Sequence, residues 1–341
     1  MLAWAAAALV LAACGSSADA GGSADDGPLT LRLGYFPNLT HASALVGIKK
    51  GFFASALGSN VTIETHTFNA GGDAVTAILS GSIDATFVGP NPTTNAFVQS
   101  HGEAVRVIAG ATSGGALLVV KPSITSPSQL KGKKIADPQL GGTQDIALRW
   151  YLKGQGFKTD TAGGGDVNVL PQDNSQTLNA FKQGQIDGAW VPEPWASRLV
   201  VEGHGRVLVD ERDLWPGGQF VTTNLIVSTQ FLNGHPKRTK ALLEGLYQAA
   251  QYINSNPAEA QTVTNDAVLE ITGNKLATGV VSAAWPHLTF TLDPLASTLK
   301  ASADHAHSLG LLASVSLGGL YDLSLLNQVL AEHGQPAVSG L

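Results

Sequence analysis

A single cysteine, Cys14, among 341 residues excludes an internal disulfide, so whatever folds here is held by its core alone. Charge is scarce as well. Asp, Glu, Lys and Arg make up 13% of the chain and sum to a formal −6, which leaves no basic stripe to neutralise a phosphate backbone and excludes nucleic acid as a partner. The apolar run Ala5–Ala13 is too short to span a bilayer. Signatures of catalysis are missing too: there is no G-x-S-x-G elbow, no H-E-x-x-H and no Walker loop. Two S-x-x-K matches, Ser128 to Lys131 and Ser297 to Lys300, come without the Ser-Asp-Asn and Lys-Thr-Gly partners that would give them meaning. His305 and His307, two apart, fall on different sides of a helix and make no metal pair. The expectation is a protein without enzyme activity, metal or cofactor. Its 44% hydrophobic content and mean hydropathy of +0.11 are ample for well-buried cores, and its length allows two units.

The N-terminus reads as an address rather than as fold. Leu11-Ala12-Ala13-Cys14 followed by Gly15 resembles the bacterial lipobox, in which the cysteine thiol takes a lipid and becomes the new N-terminus. Residues 1–14 are therefore expected to be a lipoprotein signal peptide with Cys14 as the lipidation site. Met1-Leu2-Ala3-Trp4 carries none of the Lys or Arg that usually opens such a peptide, so the translation start is expected further upstream. Residues 15–28, rich in Gly, Ser, Ala and Asp, cannot bury enough apolar surface to order themselves and suit a flexible tether. The implied location is extracytoplasmic, with the membrane reached only through the lipid.

Beyond the tether, strand and helix signals alternate. Leu29 to Tyr35 alternates apolar and polar residues, Pro37-Asn38-Leu39-Thr40 offers turn and cap chemistry, and a helix is expected from about His41 to Gly51. A strand at about Val61 to Phe68 leads through Gly71-Gly72-Asp73 into a helix over Ala74 to Leu79. Later segments follow suit: a strand at Ala116 to Val120, a strand opening at Lys133 to Ala136, a helix from Gly142 through Leu152, and long helices after Lys237, Pro257 and Pro294. This alternation predicts an α/β fold with mainly parallel sheets. An internal echo, Ile78-Leu79-Ser80-Gly81-Ser82-Ile83-Asp84-Ala85 against Phe181-Lys182-Gln183-Gly184-Gln185-Ile186-Asp187-Gly188, implies two similar lobes.

Several motifs in order then resemble a known family. Gly34-Tyr35-Phe36-Pro37-Asn38, Lys50-Gly51-Phe52-Phe53, Gly81-x-Ile83-Asp84, Leu130-Lys131-Gly132-Lys133 and Trp190-Val191-Pro192-Glu193-Pro194-Trp195 are similar to the ABC-importer binding proteins for aliphatic sulfonates, taurine and nitrate. The resemblance implies a two-lobe Venus-flytrap of the type II periplasmic-binding-protein kind, with two hinge crossings and the ligand between the lobes. The expected boundaries are 29–118 and 225–341 for lobe 1, and 119–224 for lobe 2. The implied partners are a small anionic or zwitterionic solute, an ABC permease and its ATPase, and the protein is expected to be a monomer.

Open α/β sheets place ligands beyond the carboxyl ends of their strands, where helices begin. Four segments match that placement in the resembling family: Pro37 to His41, Gly89 to Thr93, Thr112 to Gly115 and Gly141 to Gln144. None contains Lys or Arg, so an anion would be held by helix N-termini and neutral donors. The candidates are Asn38, Thr40, His41, Gly89, Asn91, Thr93, Ser113, Gly114, Gly142, Thr143 and Gln144, with Trp190 and Glu193 implied by the family's use of the matching segment. On spacing alone these are ordinary caps and turns, and His41 could equally be a surface or capping residue. Phe36 and Trp150 are expected in the core. A Glu193 facing the ligand would favour a zwitterion such as an aminosulfonate. Nitrate, bicarbonate or a thiamine precursor are the alternative ligands, although the cysteine-rich signature of the thiamine-precursor branch is missing.

Overall fold

The computed structural model describes residue 25 and residues 27–341; the expected signal peptide, Cys14 and most of the expected tether lie outside the described residues. Two sheets carry the fold. The first contains β1 (Leu29–Tyr35), β2 (Val61–Thr67), β3 (Ala85–Val88), β4 (Val105–Gly114), β10 (Val221–Ser228) and β11 (Leu288–Phe290), in the order β11-β4-β10-β3-β1-β2. The second contains β5 (Ala116–Val120), β6 (Lys134–Asp137), β7 (Asn168–Pro171), β8 (Gly188–Pro192) and β9 (Arg206–Asp210), in the order β7-β6-β8-β5-β9. The protein is thus a two-lobe α/β fold of the type II binding-protein kind.

The sheets are mixed, which refines the expectation of mainly parallel strands. β3, β1 and β2 run parallel, as do β7, β6 and β8, whereas β4, β10 and β11 in one lobe and β5 and β9 in the other pair antiparallel. Of the antiparallel strands, β4, β5, β9 and β10 adjoin the crossings, where the chain leaves one sheet for the other, and β11 pairs with the end of β4. The expected boundaries at 118/119 and 224/225 cut through β5 and β10, each of which belongs to a single sheet. The chain crosses instead at Gly114–Gly115 and between Asp210 and Val221. Gly114 and Gly115 sit at φ +77° and +76°, a region side-chain-bearing residues seldom adopt, and this permits the reversal from β4 to β5.

The echo in the sequence corresponds to one structural device used twice. The helices Gly71–Leu79 and Asn174–Lys182 each end before a left-handed glycine, Gly81 at φ +73° and Gly184 at φ +72°. The following aspartates then clamp the neighbouring strand: Asp84 accepts from the Arg32 amide at 2.8 Å, and Asp187 from the Lys134 amide at 3.0 Å.

Both faces of each sheet are covered, so the core divides into four clusters rather than two. In lobe 1, Leu45, Phe53 and Phe87 are at most 1% exposed, and each such burial contributes about 1.5–3 kcal/mol. The helix Pro236–Ser255 returns to this lobe because Leu242, Leu246, Ala249 and Ile253 recur at three- and four-residue spacing and form one buried stripe. Among the described residues no helix is long and apolar enough to cross a membrane.

Candidate functional site

The parallel strands of the two sheets direct their carboxyl ends at one another. β1, β2, β3, β6 and β7 each run into a short loop and then into helix: the 3-10 turn Leu39–His41, and the helices Gly71–Leu79, Pro90–Gln99, Thr143–Gly154 and Asn174–Lys182. These starts meet around an interlobe cavity of about 50 Å³. At roughly 10–15 Å³ per water on this measure, that is room for about three to five water-sized groups.

Among the described residues, the wall of this cavity holds no Asp, Glu, Lys or Arg. Its polarity comes from helix ends. Ala70, Gly89 and Gly142 precede their helices without any side-chain oxygen to cap them, and Asn38 and Asp173 make no side-chain cap bond either. Apart from that of Gly72, which Gln139 takes, first-turn N–H groups are therefore left to serve whatever enters, backed by the partial positive charge of the helix dipoles. Pro90 and Pro92 withhold their N–H groups, so the helix that begins at Pro90 gives least.

His41 supplies a further donor. It is 3% exposed and stacks on Phe36 with ring centroids 4.4 Å apart, and its Nδ1 accepts from the Phe36 amide at 3.3 Å. Burial pushes its pKa down to about 3, so the ring is neutral and Nε2 carries the proton. The unfolded chain would protonate His41 near pH 6.5, whereas the folded ring resists until about pH 3. His41 therefore supports the fold fully above that first pH and loses the support as pH falls towards the second.

Other groups hold the wall in place. Thr112 Oγ1 and Thr223 Oγ1 both donate to the Thr40 carbonyl, at 2.7 and 3.1 Å. In the opposite lobe the loop before Thr143 is tied down by Asp145, which accepts from the Gly141 amide at 2.8 Å and from Arg149 Nε at 2.6 Å. Asn174 Oδ1 is buried in the wall without a partner.

The lobes are closed on each other. Gln139 Oε1 accepts from the Gly72 amide at 2.7 Å, and Trp195 Nε1 donates to Asn38 Oδ1 at 3.0 Å, each bond spanning the cleft. Further round the seam, Arg212 donates to the Pro286 carbonyl at 3.0 Å, and Asp210 contacts His287 at 3.1 Å. Beyond Asn38, Asn69 and Asn174 the cavity adjoins a wider vestibule of about 600 Å³, walled in part by Phe68, Leu178, Trp195 and Asp173.

Seven of the sequence candidates line the cavity: Asn38, Thr40, His41, Gly89, Gly142, Thr143 and Gln144. Six do not, each for a physical reason. Asn91 turns away to bond Ser302, whose Oγ donates to Asn91 Oδ1 at 2.8 Å. Thr93 donates back to the Gly89 carbonyl at 2.8 Å. Ser113 accepts from the Phe220 amide, and Gly114 serves the crossing. Trp190 is fully buried in the lobe 2 core and donates to Glu211 at 2.8 Å. Glu193, also fully buried, takes the Ser197 amide and hydroxyl at 3.0 and 2.9 Å, and burial raises its pKa to about 7. The inference of a zwitterionic ligand from Glu193 therefore falls away. Phe36, expected only in the core, lies both in the lobe 1 core and on the cavity wall. Asn69, Gly71, Gln139, Asn174, Thr222 and Thr223 are wall residues that the sequence reading missed.

The cleft is thus an enclosure without charged lining among the described residues, closed over by two α/β lobes. The chain belongs to the NMT1-like family, whose family model matches residues 24–267. It is 30% identical over 199 residues to the taurine-binding periplasmic protein of Escherichia coli (strain K12), covering 58% of this chain and 60% of that one. It is 26% identical over 267 residues to the bicarbonate-binding protein CmpA of Synechococcus elongatus, covering 71% of this chain and 58% of that one. The matched region thus spans about three fifths of the length of each of these relatives. The fold is shared with the alkanesulfonate-binding protein SsuA from Xanthomonas axonopodis pv. citri bound to MOPS, with a TM-score of 0.70 at 21% identity over 85% of this chain and 96% of that one.

Proposed function

We propose that this chain is the extracytoplasmic solute-binding component of an ABC importer, and that its cavity takes the sulfonate head of an aliphatic sulfonate or taurine. The observation that carries the reading is the cavity wall: helix N-termini and neutral donors with no charged side chain. A sulfonate is ionised at every physiological pH, offers three oxygens as acceptors and is a weak base. It needs many modest donors rather than a proton or a cationic partner. The vestibule supports an organic anion over nitrate or bicarbonate, because Phe68, Leu178 and Trp195 offer apolar surface to a carbon tail that an inorganic ion lacks. Asp173, exposed at the same vestibule, takes over from Glu193 as the carboxylate available to an ammonium group.

The role is capture without chemical conversion. The ligand touches both lobes only when they are closed, so it shifts the population towards the closed form, which docks on the permease while the importer's ATPase supplies the energy. The protein acts as a monomer, held at the membrane by lipid on Cys14. Radiolabelled palmitate should enter the wild-type chain expressed in a bacterial host and not Cys14→Ala; equal labelling of both would remove the anchor from this account.

Thermal unfolding of the chain against taurine, alkanesulfonates, nitrate, bicarbonate and thiamine precursors tests the ligand class. A ligand at about 100 times its Kd adds roughly 2.7 kcal/mol. Stabilisation by sulfonates is expected. Stabilisation by nitrate or bicarbonate alone would keep the importer role and replace the substrate, and no shift with any of them would remove the transport reading.

A further inference from the structure

A second cavity, of about 290 Å³, lies in the interlobe seam and shares no lining residue with the cleft. Three parts of the chain build it. Trp150 and Tyr151 come from the helix Thr143–Gly154, Glu211 and Trp215 from the second crossing, and His305 from the helix Ala296–Ser308 of lobe 1. His305 stacks on Trp150 with centroids 4.1 Å apart and lies 6.0 Å from Trp215, so the cavity is complete only with the lobes together. Its volume far exceeds the ~10–15 Å³ that a single water needs on the same measure.

The chemistry of this wall is unlike that of the cleft. Rings of two tryptophans and a tyrosine face a space that no Lys or Arg lines, and at its base is Glu211, 2% exposed. Among the described residues, the Glu211 oxygens accept only the indole N–H groups of Trp190 at 2.8 Å and Trp215 at 3.4 Å. A carboxylate has about four lone-pair sites, so half its capacity is unused, and no cation among the described residues pairs with it. Burial accordingly raises its pKa to about 7. An ammonium is already drawn to the rim, since Lys153 Nζ stands 5.1 Å from the Trp150 ring centroid.

We propose that this seam cavity is a second ligand site, for a small organic cation of the quaternary or tertiary ammonium class. The aromatic faces would hold the alkylated nitrogen through their quadrupoles, and Glu211 would balance its charge. The site is independent of the cleft and of the ligand the cleft takes.

Choline and 3,3-dimethylbutan-1-ol, its uncharged counterpart of the same shape, are the probes. Each is titrated calorimetrically into the whole chain at pH 8, where Glu211 is ionised. The proposal expects saturable binding of one choline per chain, with the alcohol at least about tenfold weaker. Glu211→Gln, which keeps an acceptor for Trp190, and Trp215→Leu should each weaken choline by at least about tenfold with the far-UV circular dichroism unchanged. Should either variant fail to fold, the other decides, together with the comparison of the two probes on the wild type. Absence of saturable choline binding, equal affinity for the alcohol, or undiminished binding in the folded variants would overturn the proposal.

Discussion

Gly89→Val is expected to lower affinity for the cleft ligand by at least about 100-fold while the ligand-free protein keeps its fold. Gly89 has an ordinary backbone conformation, φ −72°, so a side chain introduces no strain of its own. The consequence lies across the cleft. A β-carbon there would sit 2.4 Å from Thr143 Oγ1, which belongs to the other lobe, and 3.5 Å from the Thr222 carbonyl. Turning the Thr143 hydroxyl aside relieves the β-carbon alone, but the two valine methyls then fill the space between the lobes, which part because that disturbs neither core. A ligand that gains its affinity by touching both lobes then loses one of them. Titration calorimetry on Gly89→Val, with Gly89→Val/Thr143→Ala as partner, checks this. Partial recovery in the double variant is expected, and full affinity in the single variant would show that the lobes need not meet at this point.

His41→Phe should weaken binding by roughly 10- to 100-fold, the usual cost of losing one donor to a charged acceptor. Phenylalanine keeps the stack on Phe36 but cannot accept its amide or donate into the cavity. The wild-type affinity should also stay flat between pH 5 and pH 8, because a pKa near 3 leaves His41 neutral throughout that range. A site that depended on imidazolium would instead lose affinity as pH rises through the ordinary histidine range near 6.5. Calorimetry at several pH values separates the two, and a tenfold fall between pH 5 and 8 would refute the neutral-donor site.

Much of this architecture was legible in the sequence because its signals are local. The strand Ala116–Val120 ends where a continuous apolar run gives way to Lys121 and Pro122, and the twin Gly-x-Ile-Asp segments mark the same helix-to-strand turn in both lobes. The cleft loops at Asn38–His41 and Gly142–Gln144 followed from the family resemblance, whose cleft obeys the rule that ligands lie beyond the carboxyl ends of parallel strands. The same rule, applied to β2 and β7, would have found Asn69–Gly71 and Asn174, whose loops hold the equivalent position. Thr222 and Thr223 carry no such signal. They reach the wall because β10 pairs between β3 and β4 with register shifts at those residues, a long-range arrangement that local pattern does not encode.

Trp190 and Glu193 show the opposite error. Both faces of β8 are covered, so Trp190 faces one cluster while Ala189 and Val191 face the other, and no aromatic within the strand can reach the cleft. Glu193 lies one residue beyond the strand but turns back to the start of the next helix, because Ser197 gives it two donors in a fully buried site. Asn91 and Thr93, on the first turns of their helix, are likewise taken by partners nearer than the cavity.

The most direct test of a cleft that holds an anion by helix N-termini is the amide spectrum of the isotope-labelled chain, recorded with and without a saturating alkanesulfonate. The account predicts that the largest shifts fall on the backbone amides of Gly71, Asp73, Thr143, Gln144 and Ser175, accompanied by the His41 ring Nε2. Shifts confined to other surfaces, with these amides unmoved by a sulfonate that binds, would contradict it.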